Sequence, residues 1–380
     1  MIPVFKPKTD FSDLFSVLKS LISNNISGTS PVVAEFEENF SRKFDREYGV
    51  SVSNGSVALE VALKLLNLRE DDEVIVPSFT IISCLSTILR SGAKPVFCDV
   101  DPDSWNMTLK NVKTSITEKT KAVLVVHTYG LAAEINQISD FCKEENLFLV
   151  EDAAEAHGQK VDNQYCGSFG DISTFSFYAN KHITTGEGGI LLTDSKKFYE
   201  EAKKIRNLDF DNKKRFQHDN LYWNYRFSGL QAALGNSQIK KLDKTIKFKI
   251  KQGNYYRELL SDASDFLQLP LKEHQGVVNH YWVFGILLKK QNIRDKLIED
   301  LQKEGIETRP FFWPLHLQPV LKNVQKANVD LNITENLGRN GLYIPTGKHV
   351  TKKLQKKISQ TLLKKLKEIY SKNFFIFSVI

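Results

Sequence analysis

The chain has 380 residues, of which 41% are hydrophobic and 26% charged, with a formal net charge of +7. That length accommodates a large and a smaller domain, each with its own core, and the balance is that of an ordinary globular protein, not a fibrous or disordered one. No apolar run approaches bilayer-spanning length and the Met1–Phe11 segment lacks the apolar centre of a signal peptide, so the expectation is a cytoplasmic protein without membrane contact.

Apolar residues recur at helical spacing over Val32–Arg46 and Val57–Asn67, and short β-rich runs follow at Glu73–Val76, Pro95–Asp99 and Ala122–His127. A helical stretch at Ile135–Glu145 leads to further runs at Phe148–Asp152, Ser173–Phe177 and Gly189–Leu192. This alternation predicts an α/β domain whose mostly parallel sheet is covered on both faces. From residue 246 onward, a lysine-rich helical stretch, strand-like Tyr281–Leu288, helical Arg294–Glu304 and a terminal helix predict a smaller α+β domain. The expected division is therefore 1–245 and 246–380. Cys84, Cys98, Cys142 and Cys166 are dispersed and form no CxxC pair, which predicts free thiols and no metal site.

Much of the positive excess sits at Lys348, Lys352, Lys353, Lys356, Lys357, Lys364, Lys365 and Lys367. Leu354, Ile358, Leu362, Leu366 and Ile369 interleave at helical spacing, so the segment reads as a helix with a core stripe and a solvated basic face. No nucleic-acid partner is expected. The apolar tail Phe374–Ile380 carries no legible function.

Phe148–Asp152 is an apolar run ending in two acids, Glu151 and Asp152. In a parallel α/β sheet, ligands collect beyond the carboxyl ends of the strands, where Asp152 would lie. An acid there could bind a metal, orient a ribose, act as a base or pair with a cationic ring. Further on, a β-rich run leads into Tyr178-Ala179-Asn180-Lys181-His182, and Lys181 alone would read as a solvated loop residue. Ser53-Asn54-Gly55-Ser56-Val57 gives a third part, a tight turn whose N–H groups open a helix and can receive a phosphate. A lysine to hold an aldehyde as an imine, a carboxylate to keep a proton on a ring nitrogen and a phosphate loop are the three parts that pyridoxal-phosphate (PLP) chemistry needs.

With these residues in order, the chain resembles the nucleotide-sugar aminotransferases of the DegT/StrS group, within the fold type I PLP enzymes, from about Ser27 to Lys348. The resemblance rests on Val52-Ser53-Asn54-Gly55-Ser56, Val76-Pro77-Ser78-Phe79-Thr80, Glu151-Asp152-Ala153-Ala154-Glu155-Ala156-His157-Gly158, and Ser176-Phe177-Tyr178-Ala179-Asn180-Lys181 continuing into Thr184-Thr185-Gly186-Glu187-Gly188-Gly189. It implies a large domain with a mostly parallel seven-stranded-type sheet and a smaller α+β domain at the C-terminus. It also implies PLP as cofactor, with Lys181 as the catalytic lysine and Asp152 facing the ring nitrogen. Glu155 falls near the cofactor hydroxyl, and Gly55, Ser56, Val57 and Ser176 fall around the phosphate. Ile81 stands where relatives stack an aromatic ring on the cofactor; an aliphatic side chain packs there by dispersion alone.

Asn224, in Trp223-Asn224-Tyr225-Arg226, matches a residue that completes the phosphate site of a neighbouring subunit, which implies a homodimer with shared sites. Arg206-Asn207-Leu208, Lys214-Arg215-Phe216 with His218, and Glu307-Thr308-Arg309-Pro310 through His316 resemble the perosamine-synthase type of 4-aminotransferase. Arg226, Arg309 and His316 become candidate substrate contacts, since arginines bind diphosphate by paired N–H bonds. The implied substrates are a nucleotide-linked 4-keto-6-deoxy sugar, GDP-linked by preference, and L-glutamate as amino donor, with the product serving surface-polysaccharide synthesis. A 3-aminotransferase, a UDP- or dTDP-sugar 4-aminotransferase and a PLP-binding regulator without catalysis are the alternatives. Relatives that dehydrate the sugar carry histidine at the position of Lys181, so lysine there favours amino transfer.

Overall fold

Strands whose residues are apolar on both faces need cover on both sides. The computed structural model describes residues 1–7, 9–210, 216–321 and 330–372; Lys214, Arg215 and the tail Phe374–Ile380 lie outside them. Seven strands form one sheet: β1 (Tyr48–Val52), β2 (Glu73–Pro77), β3 (Lys94–Cys98), β4 (Thr120–Val126), β5 (Phe148–Asp152), β6 (Ile172–Ser176) and β7 (Gly189–Thr193). Their order is β1-β7-β6-β5-β4-β2-β3. Strands β2 to β6 pair in parallel, and β7 runs antiparallel to both β6 and β1. On β4, Val123 and Val125 join a core with Phe36, Phe40 and Ile135, while Ala122, Leu124 and Val126 join another with Leu63 and Ile88. Each fully buried aliphatic side chain of this kind contributes about 1.5–3 kcal/mol.

The expected mostly parallel α/β sheet is therefore present, with differences at element ends. The helix expected over Val32–Arg46 spans Pro31–Lys43. It stops because Asp45 takes a left-handed φ of 55° and the chain turns to bury Arg46, whose guanidinium donates to Gly170 O at 2.9 Å and Asp171 O at 3.2 Å. Strand β1, which is not among the β-rich runs expected from the sequence, pairs along its whole length with β7.

The smaller part has a four-stranded antiparallel sheet, in the order Leu267–Gln268, Phe284–Leu288, Gly341–Ile344 and Arg309–Pro310. The strand expected from Tyr281 begins only at Phe284, because Tyr281 has φ 49° and its N–H is taken by Asn279 Oδ1 at 2.7 Å. The helix Leu242–Leu259 starts in the large core through Leu242 and Ile246 and ends in the small core through Tyr256. The division expected after residue 245 thus falls in its first turns. The terminal helix Lys352–Lys372 buries Ile358, Leu362 and Leu366 and exposes Lys353, Lys356, Lys357 and Lys364. All four cysteines are free and buried.

Candidate active site

The register of the sheet builds the floor of the site. Val126 and Asp152, the last residues of β4 and β5, lie level with Thr174 in the middle of β6, and all three line a cavity of about 690 Å³. Asp152 is 3% exposed. Its Oδ1 accepts the N–H of Ala154 at 3.0 Å and its Oδ2 the thiol of Cys84 at 3.5 Å. Burial pushes the Asp152 carboxyl above its usual range, against those hydrogen bonds and the charge of Lys181. Among the described residues no cation lies within ion-pair distance of it. A carboxylate so placed lacks a charged N–H donor from the cavity side, which is what a protonated ring nitrogen is.

Lys181 reaches the same cavity from the loop after β6. Phe177 N–H donates to Gly188 O at 2.7 Å, Thr185 N–H to Phe177 O at 3.0 Å and Lys181 N–H to Tyr178 O at 2.9 Å, folding the loop tightly. Gly188 has φ 148°, and a Cβ there would meet the Phe227 ring at 2.5 Å, so glycine at 188 is a packing requirement of the loop. Lys181 Nζ lies 3.6 Å from Glu155 Oε1 and 3.8 Å from the centroid of the Trp282 ring. Burial lowers the pKa of this lysine, with Glu155 and Asp152 acting in the opposite direction. Burial pushes Glu155 up to about 7, opposed first by Lys181. Glu155 is fixed by the N–H of Tyr129 at 2.9 Å. Tyr129 holds a left-handed φ of 61°, a conformation costing on the order of 1 kcal/mol for a non-glycine residue. A lysine with a lowered pKa beside an acid with a raised one passes a proton readily.

The phosphate end lies on the same wall. Asn54 caps the helix Gly55–Leu65, its Oδ1 accepting the N–H of Val57 at 2.9 Å. Ser56 Oγ and Ser83 Oγ are 2.6 Å apart, and Ser176 Oγ accepts the N–H of Tyr178 at 3.3 Å. A Cβ on Gly55 would stand 2.8 Å from that of Ser176, so glycine lets the helix start touch the strand end. Hydroxyls and the helix N-terminus converging here suit an anionic phosphate. Ile81, 42% exposed, forms part of the cavity wall at the start of the helix Ile82–Ser91. The residues present therefore fit PLP: a ring-nitrogen partner, an amine for the aldehyde and a phosphate cradle in one cavity.

The candidate substrate contacts are not brought together in one place. Arg309 pairs with Glu307 at 3.0 Å and lines a recess of about 260 Å³ that shares Tyr178, Asn180, Trp282 and Tyr343 with the main cavity. His316 is off the cavity wall: its Nδ1 is 2.7 Å from Ser78 Oγ and its Nε2 3.4 Å from Glu335 Oε1. Asn224 is exposed and Arg226 donates to Asn207 Oδ1 at 2.5 Å; both stand outside the cavity of their own chain.

Sequence reasoning missed Trp282, Tyr129, Cys84 and Thr174, whose buried hydroxyl has no partner among the described residues. No local pattern marks them, because each reaches the site through tertiary packing. His127, Glu151 and Cys166 form the one group of metal-ligand type among the described residues. Its acceptors are already used: Glu151 takes His127 Nε2–H at 2.9 Å and the N–H groups of Gly167, Phe169 and Gly170. His127 Nδ1 takes the N–H of Ala133 at 3.1 Å. Glu151 thus ties the loop at 167–170 to the strand that carries Asp152.

Residues 9–363 match the model of the DegT/DnrJ/EryC1/StrS aminotransferase family. GDP-perosamine synthase of Escherichia coli O157:H7 is 36% identical over 345 residues, covering 91% of this chain and 93% of that protein. GDP-perosamine synthase of Vibrio cholerae is 36% identical over 351 residues, covering 91% and 94%. Among solved structures, the aminotransferase TlmJ of Streptoalloteichus hindustanus superposes with a TM-score of 0.91 at 27% identity, covering 97% of this chain and 100% of that one.

Proposed function

Because this chain belongs to the DegT/DnrJ/EryC1/StrS aminotransferase family, we propose that it transfers an amino group from L-glutamate to the C4 carbonyl of a nucleotide-linked 4-keto-6-deoxy sugar. The observation that carries this reading is the meeting of Lys181, Asp152 and the Gly55–Val57 turn in one cavity. The relatives named GDP-perosamine synthase favour GDP as the nucleotide and position 4 as the site of the new nitrogen.

PLP, when bound, supplies the electron sink that both halves of an amino transfer need. The chain's own residues do the rest. Ser56 and Ser176 would hold the phosphate through their hydroxyls at the start of the Gly55–Leu65 helix, with Ile81 on the cavity wall; Val57, whose N–H donates to Asn54 Oδ1, would have to share that donor to contribute. Asp152 holds the proton on the ring nitrogen, for which its buried carboxylate is the charge partner. Glu155 accepts a hydrogen bond at the ring hydroxyl. Lys181 would hold the cofactor aldehyde, and its amine, whose pKa burial lowers, is the group placed to move a proton at the reacting carbon. Trp282, Phe312 and Tyr343 cover the cavity and exclude water from these transfers. Arg309, in the adjoining recess, is the substrate arginine best placed for an anionic substrate group; His316 would need to leave Ser78 to reach one.

The experiment is a panel of GDP-, UDP- and dTDP-linked 4-keto-6-deoxy sugars with L-glutamate, read by mass spectrometry. The GDP sugar should exchange its carbonyl oxygen for an amino group and form 2-oxoglutarate in equal amount. Product from the UDP or dTDP sugar and none from the GDP sugar would overturn the choice of nucleotide, and no product from any 4-keto sugar would overturn the position.

The working unit is a homodimer with shared sites. Asn224 faces solvent on a loop whose Tyr225 and Arg226 pair with residues 52 and 53, beside the phosphate turn, so a second subunit can meet it there. Mixing Lys181→Ala with Asn224→Ala subunits, the latter impaired alone, should restore up to roughly a quarter of wild-type activity per subunit. With random pairing, half the dimers are mixed and each has one intact site. No recovery after exchange verified by native mass spectrometry would mean that each site is built within one chain. No helix among the described residues is long and apolar enough to cross a membrane, and the cytoplasm, where nucleotide sugars and glutamate are at hand, suits this reaction.

A further inference from the structure

A second, small pocket of about 60 Å³ is lined by Asn180, Lys181, His182, Gln238, Lys249 and Lys348, among others, and by no aspartate or glutamate. Lys249, on the helix Leu242–Leu259, is 6% exposed. Its ammonium donates to Thr346 Oγ1 at 3.0 Å and has no carboxylate within ion-pair distance among the described residues, unlike the lysines that pair elsewhere on the chain. His182, also 6% exposed, has an Nε2 with no hydrogen-bond partner among the described residues. Buried charges are otherwise paired, since an unpaired one costs several kcal/mol. Here a buried ammonium without a counter-ion and a buried ring nitrogen without a partner line the same pocket. Neither is used by the chemistry above.

We propose that this pocket is a binding site for a small monovalent anion of the halide class, held by Lys249 and His182. The ligand supplies the negative charge that the fold leaves out. A water needs only about 10–15 Å³ of such space, so the pocket takes a compact monovalent ion with a few waters around it. Burial alone pushes Lys249 down to about 7, the response of a lysine whose counter-charge is not part of the chain. An anion there would lie against the segment 179–182 that carries Lys181. The site does not depend on which sugar the enzyme uses.

The test uses the intact protein and bromide. Crystals soaked in bromide should give an anomalous peak within ion-pair distance of Lys249 Nζ. In solution, replacing gluconate by bromide at constant ionic strength should raise Tm saturably, by about 2–4 °C. Lys249→Met should lose that rise, whereas Thr346→Val, which keeps the charge, should retain it. Water-like density without anomalous signal, or a rise that persists in Lys249→Met, would overturn the proposal. Should Lys249→Met fail to fold, the anomalous peak on the wild-type protein decides alone.

Discussion

Lys181→Ala is expected to reduce amino transfer by at least about 10⁴-fold, because one change removes both the covalent hold on the cofactor and the base that moves the proton. The fold should survive. The lysine packs on the face of Trp282 and against Glu155, and without it Glu155 loses the main charge that opposes its raised pKa. The carboxyl then takes up a proton and stays buried as a neutral group, still bonded to the N–H of Tyr129. Circular dichroism and thermal denaturation should therefore be close to wild type while single-turnover kinetics collapse. Activity within tenfold of wild type would assign the proton transfer to another group.

Asp152→Ala has the second largest expected effect, and its signature is different. Cofactor affinity should fall on the order of 2–4 kcal/mol, or about 30- to 1000-fold in Kd. Turnover at saturating cofactor should fall as well, since a ring nitrogen without its proton is a poor electron sink. The cofactor-free variant should be no less stable than the wild type. In the free protein this carboxylate is buried with only a thiol and one N–H as donors, so alanine removes an ill-compensated group. Wild-type affinity for PLP, measured by fluorescence titration, would show that another residue faces the ring nitrogen.

The parts of the site that share an element were legible in the sequence. Asp152 ends an apolar strand, Lys181 follows the next one and Gly55–Val57 opens a helix, so each has a local pattern that says where it points. The register of β4, β5 and β6 then brings Val126, Asp152 and Thr174 level, as an unbroken parallel sheet requires. Trp282 and Tyr129 were not legible for the opposite reason. Trp282 precedes its strand on a turn set by the left-handed Tyr281, and the hydrophobic pattern there reads as continuous strand. Tyr129 acts through a backbone N–H whose direction depends on a φ that no side chain advertises. Strand β1 was hidden because five residues beside a glycine-serine turn give too short a pattern to separate from the turn itself. The helices Phe11–Ile22 and Gly229–Ile239 were passed over likewise; the second is rich in small, polar residues that pack against its neighbours without an apolar stripe.

Reductive trapping shows directly whether Lys181 is the residue that holds PLP. The purified protein, loaded with PLP, is treated with borohydride, digested with trypsin and mapped by mass spectrometry. Lys181 is the one lysine between Lys160 and Lys196, so the account predicts the reduced cofactor on the peptide spanning residues 161–196, with the other lysines unmodified. Lys249 is the instructive rival: buried and with its pKa pushed down to about 7, it is also a reactive amine, but it does not line the cavity that holds Asp152. Cofactor mapped to Lys249, or to any lysine other than Lys181, would show that Lys181 is not the residue that holds PLP.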